Sequence, residues 1–124
     1  MDRKANPGFV SHTELASTDQ AATRAWCESV LGWKFGEKME TPTGPYHMWR
    51  HESPLSGGGI RATNPGEPGG TTPYVETKDV DEAIERAQEE GAEVMMPAMD
   101  VPNGGRIAVV KAPGNVPIGF WAPQ

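Results

Sequence analysis

Residues 19–60 carry a punctuation that returns sixty positions later, at 79–120. Asp19 and Asp79 each open an amphipathic run, and Gly32 and Gly91, 59 positions apart, each stop one. The pair Gly59-Ile60 comes back as Gly119-Phe120. A duplication constrains the fold more tightly than composition does. A unit that recurs is one supersecondary module, and a module too small to cover its own sheet must bury that face against another.

Each copy reads strand, helix, then strands. In "GFVSHTELAS" the residues alternate, with Phe9, Thr13 and Leu15 on one face and Val10, His12, Glu14 and Ala16 on the other. Ser17, Thr18 and Asp19 are N-cap residues, whose side-chain oxygens satisfy the first free amides of a helix. In "DQAATRAWCESVLG", Ala22, Ala25, Trp26 and Val30 fall on one apolar stripe, and Gly32 suits the left-handed residue that ends a helix. "WKFGEKME", "YHMWRHE" and "GGGIRAT" read as strands, with a turn at "TPTGP". The second copy follows suit. "TPYVETK" is a strand, Asp79 caps "VDEAIERAQEEG", and Val80, Ala83, Ile84 and Ala87 form its apolar face. "AEVMMP", "GRIAVVKA" and "VPIGFWA" complete it. The expected fold is α+β, two βαβββ modules in one chain. Module one covers about 8–63 and module two about 72–122, joined by "NPGEPGGTTP", in a single domain over 1–124.

The bulk numbers exclude several function classes. A net charge of −6 with no Lys/Arg cluster argues against nucleic-acid and anionic-membrane partners. No apolar run approaches the roughly 20 residues that span a bilayer. "MDRKANPG" has no signal-peptide segment, and Cys27 is the lone cysteine, so no intrachain disulfide forms. The expectation is a cytoplasmic protein. The glycine runs lack the lysine and hydroxyl residue of a phosphate-binding loop.

Beyond these patterns, "HTELASTDQAATRAWCESVLGWKF", "YVETKDVDEAIERAQEEGAEV", "GGRIAVV" and "APGN" together resemble the vicinal oxygen chelate superfamily, the glyoxalase, bleomycin-resistance and extradiol dioxygenase group. "PYV…DVDEA", "GGRIAVV" and "GFW" are closest to its glyoxalase-related branch. The resemblance implies curved mixed sheets forming a cleft, and a homodimer. In metal-dependent members it also implies one divalent cation held by His, Glu or Gln from the first and last strands of each module. Residue by residue, His12 stands seven before Asp19, where the first ligand belongs. The corresponding place in module two is Thr72, and the last strands offer Gly59 and Gly119, or Ile118 if the short turn "KAPGNVP" shifts the register by one. Threonine is a poor ligand, and glycine and isoleucine offer none.

The expectation is therefore a small-molecule-binding protein of the bleomycin-resistance kind, with no cofactor and no catalytic residue assigned. The alternative is a metal-dependent glyoxalase-like lyase or isomerase, or a dioxygenase. Whether any reaction is catalysed stays open. His12, Glu14 and Tyr74 are the expected ligand anchors, with Trp49 and Trp121 as stacking surfaces. An inward carboxylate at Glu14 costs several kcal/mol to desolvate unless wet or paired, with His12 or an arginine as partner. His47 and His51, flanking Trp49 on one strand face, offer a different metal site. Arg106 at a strand start suits an anion contact or a loop anchor. Cys27 reads as a buried inert thiol.

Overall fold

The structure is a computed structural model that describes residues 4–41, 44–53, 56–102 and 104–123. The turn expected at "TPTGP" falls partly outside the described residues, at Pro42 and Thr43, as does the start of "MDRKANPG". Nine strands and two helices are present among the described residues, and the fold is α+β. The elements run β1 (Val10–Ser17), α1 (Gln20–Trp26), β2 (Lys34–Phe35), β3 (Met39–Thr41), β4 (Gly44–Arg50), β5 (Gly57–Ala62), β6 (Gly70–Glu76), α2 (Val80–Glu89), β7 (Glu93–Val101), β8 (Gly105–Ala112) and β9 (Val116–Ala122). The chain divides into two compact units, 11–72 and 73–123 with 4–10. No helix of the described residues is long and apolar enough to cross a membrane.

In the first unit the strand order is β2-β4-β5-β1. β1 runs parallel to β5, Glu14 beside Gly59, and β4 runs antiparallel to β5, Met48 beside Gly59. β3 pairs with β4 away from this path, so the stretch "WKFGEKME", expected as one strand, is two short pieces on one neighbour. Asp19 caps α1, its carboxylate accepting from the Ala22 amide at 3.1 Å. After Trp26 the helix widens into a π-helical turn over Cys27–Leu31 and ends on Gly32 at φ 71. Gln20 ties α1 to the sheet by donating from Nε2 to the carbonyls of Pro45 and Ile60, at 2.8 and 3.1 Å. Cys27, Trp49 and Ile60 are buried on this side.

The apolar stripe of α1 does not point inward. Ala22, Ala25, Trp26 and Val30 are all exposed, Trp26 at 57% and Val30 at 59%. The face turned to the sheet carries Gln20, Arg24 and Cys27 instead, held by hydrogen bonds rather than by the stripe. In the second unit the strand order is β6-β9-β8-β7 and the stripe behaves as the periodicity predicts. Val80 is buried with Ala108 and Ala122, and Ile84, Ala98 and Phe120 pack around them. β7 is longer than expected because it lies at a sheet edge, where Pro97 has no ladder bond to lose and two register shifts absorb the strain.

Ile60 is fully enclosed at 0% exposure. Ile60→Ala should cost about 2–5 kcal/mol, the range for a cavity left by a buried aliphatic side chain. Urea unfolding of the two proteins checks this. A loss under about 0.5 kcal/mol, the scale of a surface change, would mean that this core is not formed.

Candidate functional site

The strand alternation fixes which side chains share the face of the first unit that turns away from α1. Glu14 lies beside Gly59, Ala16 beside Arg61, and Met48 beside Gly59, so His12, Glu14, Tyr46, Met48 and Arg61 project to one side. They form one hydrogen-bonded chain. The Tyr46 hydroxyl donates to Glu14 Oε2 at 3.2 Å and lies 3.0 Å from His12 Nε2. A phenol has one proton, and a carboxylate can only accept, so His12 Nε2 carries the hydrogen and donates to Tyr46. Arg61 Nε donates to Glu14 Oε1 at 2.9 Å, and its two terminal nitrogens grip Glu67 at 2.8 and 2.7 Å. Glu67 also accepts from the Asn64 amide at 2.8 Å, which fastens the loop after β5 to this cluster.

Burial and charge set the protonation states. Burial pushes the His12 pKa below the ordinary value for imidazole, with the Glu14 carboxylate partly opposing it. The ring is therefore neutral near pH 7. The Arg61 guanidinium holds Glu67 down to about 2, helped by the Asn64 amide, and the two carboxylates hold Arg61 firmly charged.

Tyr46 does a second thing. Gly59 has no side chain, and a Cβ built there would collide with the Tyr46 ring. The phenol thus lies flat on the strand at the position where a last-strand ligand was sought. The same device recurs in the second unit. A Cβ on Gly119 would stand 2.5 Å from Cδ2 of Tyr74, which is paired beside it and buried. Trp121 shares that face, donates from Nε1 to the Gly104 carbonyl at 2.7 Å, and lies against Gly105. Glu76 is also on this face and is 1% exposed, with Oε1 accepting from the Asn6 amide at 2.9 Å.

Of the expected residues, the structure joins His12 and Glu14 through Tyr46, and puts Tyr74 and Trp121 on one face of the second unit. Trp49 is elsewhere. It is buried on the α1 side, stacked on Trp33 with centroids 3.6 Å apart. His47 and His51 are spoken for separately. His47 Nδ1 accepts from Arg24 at 3.2 Å, and its pKa is lowered by burial and then by Arg24 and Lys38. His51 Nδ1 accepts from the Ser53 amide at 3.0 Å. Arg106 is an anchor, bonded to Asp81 and Asp100 at 3.0 Å each. The Cys27 thiol is buried, and burial followed by Glu28 pushes its pKa up, so it is a poor nucleophile. Tyr46, Arg61, Glu67 and Glu76 were not singled out in sequence. Alternation already set Tyr46 opposite His47 and Trp49, and Glu76 beside Tyr74. An open hollow of about 490 Å³, floored by Pro7, Ala83, Ala87 and Phe120, lies on the helix side of the second unit, away from these groups.

The family model described as the Glyoxalase/Bleomycin resistance protein/Dioxygenase superfamily matches residues 10–120. A curated Mycobacterium bovis protein named "Putative glyoxylase CFP32" is 28% identical over 123 residues, covering 96% of this chain and 46% of its own. The chain therefore spans under half the length of that relative. Among solved structures, methylmalonyl-CoA epimerase from Mycobacterium tuberculosis aligns with TM-score 0.70 at 15% identity, covering 92% of this chain and 87% of that one. A variant of homoprotocatechuate 2,3-dioxygenase from B. fuscum aligns with TM-score 0.71 at 18% identity, covering 99% of this chain and 34% of that one. At such identities the likeness is one of fold.

The Arg61 clasp has a pH signature. Glu67 titrates near 2 when folded and near 4.5 when free, so the unfolded chain binds its proton first. Its contribution to stability is complete above about 4.5 and disappears as pH falls towards 2. Urea unfolding across that window should show the wild type losing more stability than Glu67→Gln. Parallel losses would mean that the clasp is absent.

Proposed function

Since this chain belongs to the glyoxalase/bleomycin resistance protein/dioxygenase superfamily, we propose that it binds a small organic molecule and does so without a resident metal ion. The observation that carries this reading is Tyr46. Metal-dependent members of the superfamily hold a divalent cation on side chains at four places, here His12, Gly59, Thr72 and Gly119. The residues present do not fit such an ion. His12 Nε2 is engaged by the Tyr46 hydroxyl, and the same ring covers Gly59. Tyr74 covers Gly119, and Thr72 brings a neutral hydroxyl that is buried.

The polar chain on the first unit suits a binder. Tyr46, Glu14 and His12 present a hydroxyl, a carboxylate and a neutral imidazole already oriented by one another, so a ligand meets groups that need no further ordering. Arg61 pairs with Glu14 at 2.9 Å and holds it in place. Tyr74 and Trp121 supply flat apolar surface on the second unit, where ligand contact gains from stacking.

The reading also includes a homodimer. The exposed stripe of α1 and its π turn, with Trp26, Val30 and Leu31, has no cover within the described residues. A second copy suits it on charge. The flanking Arg24 and Glu28 lie 3.7 Å apart and neutralise each other, so two copies meet there without repulsion. The outer face of α2, with Glu82, Glu85, Glu89 and Glu90 against Arg86 alone, would repel its own copy. The M. bovis relative, more than twice the length of the matched segment, has room in one chain for what a second copy would bring here.

Two measurements test these proposals. Protein purified without chelator should hold well under one equivalent of nickel, zinc, iron or manganese. Tryptophan fluorescence should respond to at least one member of a panel of aromatic antibiotics and metabolites. Tyr46→Phe should then weaken binding about 3- to 10-fold, the worth of one hydrogen bond. A stoichiometric cation lost in His12→Ala would instead make the chain a metal-dependent enzyme of the glyoxalase or dioxygenase kind.

Light scattering over a dilution series should give a mass of two chains, reduced to one by Trp26→Lys with the far-ultraviolet dichroism unchanged. A wild type that stays single at every concentration would remove the dimer.

A further inference from the structure

The two helices are fastened by different means. α2 is held by apolar burial, with Val80 enclosed and Ile84 packed beside it. In α1 none of Gln20–Trp26 is buried, and the first covered side chain is Cys27, at the start of the π turn. Polar ties do the fastening there. Gln20 donates to the Pro45 and Ile60 carbonyls, the Thr23 and Ser17 hydroxyls lie 2.7 Å apart, and Arg24 reaches His47 on β4.

Only the last of these ties contains a group that titrates near neutral pH. Arg24 Nη1 lies 3.2 Å from His47 Nδ1. A guanidinium has no acceptor, so the bond needs a bare lone pair on Nδ1. A proton on that nitrogen removes the acceptor and sets two cations against each other. Arg24 is also the hub of its end of the helix. It stands 5.0 Å from the centre of the Phe35 ring on β2 and 3.7 Å from Glu28, one turn on, next to Cys27.

We propose that His47 is a pH-sensitive tie for α1. With the ring neutral, Arg24 fastens the helix to β4; protonation at Nδ1 frees that end and uncovers Cys27. The charges around the ring favour the neutral form. From α1 it faces Arg24, backed by Glu28, and from the run into β3 it faces Lys38 and Glu40, themselves 3.6 Å apart. Its neighbour on β5 is Ile60, which is uncharged. Burial first, then Arg24 and Lys38, lower the His47 pKa below 6.5, with Glu40 opposing. Release of the helix removes Arg24 and part of the burial, so the freed state takes up the proton more readily. Docking is therefore complete above about 6.5 and weakens as pH falls below it. The tie is independent of the ligand and the second copy proposed above, since it uses only contacts within the first unit.

The test measures how fast dithiodipyridine, which stays reactive in mild acid, modifies Cys27 between about pH 7.5 and about pH 5, the range in which histidine changes charge. Each rate is divided by that of the same chain unfolded in urea, which removes the change in thiolate fraction. The ratio should rise about 3- to 10-fold on acidification, the worth of one hydrogen bond. In His47→Asn the side-chain oxygen can accept from Arg24 and does not titrate, so the ratio should stay level. His51→Gln should rise as the wild type does. In an NMR titration of the wild type, the His47 ring and the amides of Ala22 to Trp26 should move with one midpoint. A level ratio in the wild type, a rise that persists in His47→Asn, or helix amides that ignore the His47 titration would each overturn the tie.

Discussion

Aromatic rings lying on bare glycine backbone are the contact on which much of this structure depends. Tyr46 lies on Gly59, Trp49 on Gly58, Tyr74 on Gly119 and Trp121 on Gly105. Each contact exists only because the strand residue has no Cβ, and two of the rings also bring a polar tip to a partner. The Tyr46 hydroxyl reaches His12 and Glu14, and the Trp121 N–H reaches the Gly104 carbonyl. A methyl group at Gly59 would expel the Tyr46 ring, and the hydrogen-bonded chain would lose its middle member. Glycine in a strand usually weakens it. Here the aromatic cover restores the packing that the glycine gives up.

The polar chain is stable for a related reason. Glu14 is a largely buried carboxylate, with its side chain 16% exposed, and alone would be costly in that position. Arg61 answers its charge on one oxygen and Tyr46 its hydrogen-bonding capacity on the other. Arg61 in turn is shared with Glu67, which gathers the loop after β5 onto the same cluster. The group is mutually satisfying, so removing one member unsettles the rest more than any pairwise distance suggests.

Much of the fold was legible in the sequence because period and punctuation are local. β8 and β9 have the bounds that their alternation gave, and Asp19 and Asp79 cap their helices as the sixty-residue repeat required. The site was less legible, because facing depends on what a neighbouring element does. The α1 stripe has the right spacing for a core face, but Gln20 reaches two sheet carbonyls and turns the helix so that the stripe faces outward. The alternation of β4 is plain, yet it cannot say which face lies under the helix. Attention to His47, Trp49 and His51 therefore followed the face that α1 covers and passed over Tyr46. The need of Glu14 for an arginine was readable from charge burial alone. Which arginine, Arg61 directly beside Ala16 on β5, required the strand register.

The sixty-residue offset makes a last comparison possible. Glu14 corresponds to Tyr74 and Arg61 to Trp121. In module one the two places hold an ion pair at 2.9 Å, and in module two they hold two aromatic side chains. Both solutions are physically consistent, whereas a buried carboxylate at the Glu14 place facing an aromatic side chain at the Arg61 place would have lost its counter-charge. Yet both modules cover the same glycine. Gly59 is covered from β4 by Tyr46, on one side of β5, because the place on β1 is taken by Glu14. Gly119 is covered by Tyr74 from β6, the strand that corresponds to β1, because no charge stands there. A tyrosine ring fills the space above a last-strand glycine twice, from opposite neighbours. That the filling is kept while the route differs argues that a closed surface at this place, and not any one residue, is what the fold requires.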